Sequence, residues 1–289
     1  MGNLRLFVAC VAIWGSTWLA IKFQLGHVEP EASVAYRFLL AAVLIAGYCR
    51  VRGLSLAFSA RNHLWLALFG VLSFGVSYIC VYYAEQRVVS GLVAVGYSAS
   101  PLLGAIGSRL FFATPVTRKI ATGSVLGIAG IVLVYWPEFA HLQGDGDTAA
   151  GALFTVIAVV LSALGTQVTH RNHEHHLPLW QTMAWGMFYG SMSCFALALA
   201  MGKSFSFEPT AGYVLSLVYL AILGSIVAFA AYITLVKHIG AARASYIGVM
   251  VPIVALVISA AFEGFRWSVL TWAGIAVSVA GNVIILRRR

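Results

Sequence analysis

Charge is scarce in this chain. Of 289 residues, 18 are Lys or Arg and 9 are Asp or Glu, a 9% share, where a soluble domain carries roughly a quarter. So few charges cannot clothe a water-facing surface, which excludes a soluble globular fold. No Asp or Glu falls in the middle third of any apolar run, so no buried proton relay is expected. Cysteine is equally sparse. Cys10, Cys49, Cys80 and Cys194 lie within or at the ends of apolar runs with no close pair, which excludes a disulfide framework and leaves them as small buried residues.

What is abundant is apolar, at 61% of the residues. Runs long enough to cross a hydrocarbon core, about 17–25 residues each, read at Asn3–Phe23, Ala32–Arg50, Leu64–Tyr83, Val88–Phe111, Arg118–Trp136, Thr148–Thr169, Leu179–Leu199, Gly212–Leu235, Ala242–Phe262 and Ser268–Leu286. The expectation is an all-α membrane protein of ten transmembrane helices. The first run reads as a helix and not a cleaved leader, because no small-x-small site follows it.

With the N-terminus cytoplasmic, thirteen of the eighteen basic residues lie on the inner side, among them Arg50, Arg52, Arg61, Arg118, Lys119 and Arg287–Arg289. Eight of the nine acids, Glu31 and Glu85 among them, fall in the connectors on the opposite side. The positive-inside rule therefore puts both termini in the cytoplasm. The net charge of +9 is spread over short connectors, which suits anionic lipid headgroups better than nucleic acid.

Sliding the chain by 151 positions lays Leu64–Val134 on Leu215–Ile285, with Pro101 on Pro252, Ser108 on Ser259, Gly123 on Gly274 and Gly130 on Gly281. Two repeats follow, residues 1–138 and 148–289. Five spans each is an odd number, so the second repeat enters the membrane from the other face. Inverted repeats of this kind build secondary carriers with a solute site near the midplane. Pro101 and Pro252 each remove a helical hydrogen bond and free the carbonyls of Tyr97 and Gly248. Such carbonyls are tolerated only against protein or a wet cavity, which makes the two prolines hinge candidates. Gly123, Gly127 and Gly130, with Gly274, Ser278 and Gly281, form small-residue stripes. They pack against another helix of the chain or across a homodimer.

Trp14-Gly15-Ser16-Thr17, then Lys22, then Arg37-Phe38 resemble the opening of EamA-type members of the drug/metabolite transporter superfamily. Pro252, Glu263, Trp272-x-Gly274 and Ala280-Gly281 resemble that family's repeated ending, although Phe112 stands where the first repeat often carries a Glu. The resemblance implies a ten-helix exporter in a bacterial-type inner membrane. Within the family, the aromatic-rich helices are similar to amino-acid exporters of the YddG type. Other members carry sugar phosphates, nucleotide sugars or drugs, with proton antiport as the alternative to facilitated transport.

A solute site needs an apolar wall with a few placed polar groups. Trp14, Ser16, Thr17, Tyr78, Tyr82, Tyr97, Ser98, Trp185 and Tyr246 are the candidates: Tyr78 and Tyr82 share a helical face, Tyr97 and Ser98 precede Pro101, Tyr246 precedes Pro252, and Tyr78, Tyr97, Trp185 and Tyr246 lie several residues from any interfacial belt. Arg37 either attracts a carboxylate or snorkels to the outer interface. Facilitated transport is favoured, with Glu85 and Glu263 as the groups to examine for antiport. His170–His176 holds four histidines but lacks the His-Glu-x-x-His order, so it reads as a solvated loop without a functional metal. No cofactor is expected. Neither a nucleophile with its base nor a ring of charge appears at membrane depth, which argues against an intramembrane enzyme or a channel.

Single cysteines placed by Gly2→Cys and Arg289→Cys should both react with an impermeant maleimide only when the cytoplasmic face is exposed. Labelling of the two from opposite faces would dismantle the inverted arrangement.

Overall fold

The computed structural model describes residues 2–113, 117–141, 146–239, 244 and 246–286. Among them every regular element is helical. The membrane-crossing helices are α1 (Asn3–Lys22), α2 (Pro30–Val51), α3 (Ala60–Glu85), α4 (Ser90–Phe112), α5 (Arg118–His141), α6 (Gly146–Glu174), α7 (Leu179–Ala200), α8 (Ala211–Val236), α9 (Ile247–Phe262) and α10 (Val269–Leu286). Eight are long and apolar enough to cross a membrane outright, and α9 and α10 are shorter. The expected start of the ninth span, Ala242, lies outside the described residues.

The helices pair as two inverted halves require. α5 lies along α10 and α2 along α7, each helix against its own repeat-mate. The remaining contacts come in mirrored sets: α1 packs on α9 and α8, and α6 packs on α4 and α3. The glycine stripes explain the first pairing and fix its direction. A Cβ on Gly130 would lie 2.5 Å from the Gly274 carbonyl oxygen, and one on Gly274 would lie 2.6 Å from that of Gly130. One helical turn or more away, a Cβ on Gly281 would collide with the Gly123 carbonyl. Early α5 therefore meets late α10, so these equivalent helices run antiparallel and the repeats are inverted. The stripes are used within the chain.

Two helices carry an extra residue in one turn. α3 widens into a π-turn at Val71–Gly75 and α8 at Leu220–Val227, and the shift that pairs the prolines carries 71–75 onto 222–226. Neither widening has a proline or another residue signature that announces it. At the first, Gly70 and Gly75 sit against Gly186 and Gly190 of α7, where a Cβ on Gly70 would overlap the Gly186 carbonyl. α4 is interrupted instead by a 3₁₀ turn at Tyr97–Ala99. Pro101 opens the helical segment that follows, and its side chain lies outside the described set.

The histidines of the rich stretch face solvent as expected, but the stretch is mostly helix and not a loop. α6 runs on to Glu174, so His170 and Glu174 face each other one turn apart at 3.8 Å. Arg171 stacks over Trp65, 4.4 Å from the ring centre.

Gly130→Leu or Gly274→Leu should lower the thermal midpoint by several degrees, a cost of about 1–3 kcal/mol for overpacking a backbone contact. Gly127→Ala, whose Cβ meets nothing within 4 Å, should leave it nearly unchanged. Melting of detergent-solubilised protein, followed by size-exclusion fluorescence, separates the two.

Candidate solute chamber and its outer roof

A cavity of about 620 Å³ lies between the halves, within the roughly 300–1,000 Å³ range of small-molecule sites. Six aromatic side chains stand in its wall. Trp14 and Trp18 come from α1, Tyr78 from α3, Tyr97 from α4, and Phe229 and Tyr232 from α8. Hydroxyl and amide groups are scattered among them: Thr17, Ser98, Ser100, Thr166 and Asn282. Pro252 and Gly248 of α9 are also in the wall. Gly248 is exposed there, so the carbonyl that Pro252 leaves unpaired borders the open space. No charged side chain lines the chamber among the described residues.

The rings are held by specific partners. The Trp14 indole N–H donates to the Gly224 carbonyl at 3.1 Å, inside the α8 π-turn. Its ring meets Phe229 edge-on at 5.2 Å and Tyr232 at 5.5 Å. Trp18 leans on Tyr97 at 5.2 Å, and the Tyr97 hydroxyl lies 3.2 Å from Ser162 Oγ.

Of the residues singled out from sequence, Trp14, Thr17, Tyr78, Tyr97, Ser98 and Pro252 meet at this chamber. Four others stand off its wall. Ser16 is turned to α8, where its hydroxyl pairs with Tyr219 at 2.6 Å. Tyr82 is fully buried and donates to Gln24. Trp185 donates to the Leu56 carbonyl at 2.9 Å and stacks on Tyr189. Tyr246 precedes α9, its carbonyl taking the Val249 and Met250 amides at 3.1 Å. Trp18, Phe229 and Asn282 join the wall without having been singled out. Trp18, one turn beyond Trp14, was within reach of helical spacing.

Above the chamber, on the face that the positive-inside rule assigns to the outside, a polar lock ties α1, α3, α4 and α9. Lys22 ends α1 and donates to the backbone carbonyls of Glu85 and of Val88, the latter at 2.9 Å. Its Nζ is 3.6 Å from Glu263. Glu263 sits at the N-terminal end of α4, where free amides and the helix dipole favour an anion. It accepts the Ser90 amide at 2.9 Å, the Ser90 hydroxyl, and the Ser259 hydroxyl at 2.8 Å. Ser259 Oγ in turn accepts the Gly91 amide at 2.8 Å. Glu85 and Glu31, expected in water-facing connectors, are instead wholly buried. The Tyr83 hydroxyl donates to Glu31 at 2.6 Å, while neither carboxyl oxygen of Glu85 has a hydrogen-bond partner.

The cytoplasmic end differs. Ser108 and Phe112 are the repeat-mates of Ser259 and Glu263, and Val236 is that of Glu85. Ser108 donates to Gln167 of α6 at 3.3 Å, and Phe112 rests on His170. No ion pair bridges the halves there among the described residues. α4 packs on α9 along its outer segment, Ser90–Gly96, whereas Ser100–Phe112 has no comparable packing against it. The chamber is thus roofed on the outside and parted on the inside.

Two inverted five-helix halves around a central chamber, sealed on one face only, define a membrane transporter. The comparisons with known proteins agree. The model of the EamA-like transporter family matches residues 2–136 and again 149–287, and the chain belongs to that family. It is 30% identical to the "uncharacterized inner membrane transporter YedA" of Escherichia coli K12 over 98% of this chain and 90% of that one. Protein PecM of Dickeya dadantii is 25% identical over 90% and 83%. A solved crystal structure superposes with a TM-score of 0.70, covering 98% of this chain and 95% of that one, at 16% identity. That likeness is one of fold alone.

Glu263→Gln removes the charge from the lock and should open the roof. Ser98→Cys, reporting from the chamber, should then react with an impermeant thiol reagent from outside on the order of tenfold faster, the scale of a charge-assisted hydrogen bond. An unchanged rate would show that the lock does not hold the roof shut.

Proposed function

We propose that the protein is an inner-membrane secondary carrier that exports small organic solutes, amino acids with aromatic or other apolar side chains foremost, by alternating access. The observation that carries this reading is the chamber itself. Six rings and a handful of neutral hydroxyl and amide groups suit a solute with an apolar body and a few hydrogen-bonding groups. Among the described residues the wall bears no cation with which to grip a sugar phosphate or nucleotide sugar, which weighs against those classes. On this reading the solute is carried and not changed.

In the form described, solute enters from the cytoplasm. Release requires the Lys22–Glu263 lock to part while the inner ends of α4 and α9 come together. Pro252 lies inside α9, where the missing hydrogen bond lowers resistance to bending, and Pro101 holds the equivalent place in α4. These are the hinges of the motion.

Purified protein in liposomes, tested against aromatic and aliphatic amino acids, sugar phosphates and a cationic drug, separates the substrate classes. Tyr97→Ala should weaken competition by phenylalanine relative to leucine by about tenfold, the loss of one or two aromatic contacts. Equal competition profiles would remove Tyr97 from the solute wall. Pro252→Ala should slow flux several-fold with little change in apparent affinity, and unaltered flux would remove the hinge.

A further inference from the structure

Arg37 is the one strong charge well inside helix α2, and it does not snorkel. Only 2% of it is exposed. Its guanidinium carbon lies 4.8 Å from the centre of the Tyr78 ring and 4.9 Å from that of Phe38. Neither Nε nor Nη1 has a hydrogen-bond partner, and no carboxylate lies within ion-pair distance among the described residues. Leaving charged donors unmet in a dry site is costly, so a residue retained in that state needs a partner from elsewhere. Tyr78 is itself a wall residue of the solute chamber, and Nη2 comes within 3.7 Å of where a Cβ on Gly224 would stand. Thr17, another wall residue, packs on that same glycine. Arg37 thus lies directly behind the chamber wall at Tyr78.

The fold supplies a second argument. α7 is the repeat-mate of α2 and packs along it, yet Leu179–Ala200 contains no charged residue. The frame is symmetric and the charge is not, which fits a group kept for an asymmetric ligand.

We propose that Arg37 is the specificity-determining residue of the carrier, and that it takes the carboxylate of the solute when Tyr78 turns aside. The inference rests on the carrier reading above and narrows it to carboxylate-bearing solutes. A carboxylate fits better than a phosphate because Lys22, the cation of the roof, is already held by Glu263, which leaves a single guanidinium to meet the solute's charge. The apolar end of such a solute then falls among Trp14, Trp18 and Tyr97.

Isothermal titration of the full chain in nanodiscs with L-phenylalanine, 3-phenylpropionate and 2-phenylethylamine tests this. The wild type should bind both carboxylate-bearing probes more tightly than the amine. Arg37→Gln should weaken those two by on the order of tenfold or more, the scale of a charge-assisted hydrogen bond, and leave the amine unchanged. Should Arg37→Gln fail to fold, Arg37→Lys, which keeps the charge and loses the planar fork, is read in its place. It should show a several-fold loss confined to the same two probes. Equal loss for all three probes, or no loss, overturns the role of Arg37 while leaving the carrier reading in place. Absence of wild-type binding to all three overturns both.

Discussion

A hydrocarbon slab offers no partner to a peptide N–H or C=O, so every residue within it must close its hydrogen bonds inside its own helix or face protein or water. The irregular points of this chain obey that constraint. The Gly248 carbonyl released by Pro252 borders the chamber. The carbonyl of Gly224, in the α8 π-turn, is taken by the Trp14 indole. The 3₁₀ turn of α4 begins at Tyr97 and includes Ser98, both in the wall. Three of the four breaks thus collect around one space, while the π-turn of α3 packs on α7.

Symmetry and its violation divide the labour. Glycine-to-glycine contact between α5 and α10, and the parallel set of pairings around it, give the two halves equivalent scaffolds. On this frame the outer end carries Lys22, Glu85, Ser259 and Glu263, while the equivalent inner positions carry Ser108, Phe112 and Val236. The outer lock joins α4 to α9 across the halves through ionic and charge-assisted bonds. The inner contacts run between α4 and α6, on one side of the parting. A carrier with identical locks at both ends would have no built-in preference between its two faces. Here the difference in side-chain chemistry sets one.

Much of this was legible in the sequence because it depends on local or periodic signals. Apolar run length marks the spans, and coincident Pro and Gly mark the repeat. Six of the residues singled out from sequence gather at one chamber, and the places of the others have physical causes. Tyr78 and Tyr82 were placed on one face because four residues advance a helix by only about 40° beyond a full turn. The chamber, however, takes the Tyr78–Val81 side, and Tyr82 falls about 100° from Val81. Glu31 and Glu85 sit at span ends, where sequence alone reads water. Their burial comes from neighbouring helix ends folding over them, a tertiary event with no local signature. Trp185 lacks any nearby span end that would mark a belt residue, but its indole is claimed by the Leu56 carbonyl in the connector between α2 and α3.

The paired π-turns have a consequence for how such a wall changes over evolutionary time. One residue inserted into an α-helix swings everything beyond it by about 100°, which normally scrambles a packed face. A turn that already accommodates a surplus residue can lose it, or pass it along, without rewriting the loops at either end. Tyr78 and Val81 lie just past the surplus in α3, as Phe229 and Tyr232 do in α8. Single-codon insertions or deletions at Val71–Gly75 or Leu220–Val227 would therefore present a fresh set of side chains to the cargo, giving this scaffold a route to new cargoes by rotation in addition to substitution.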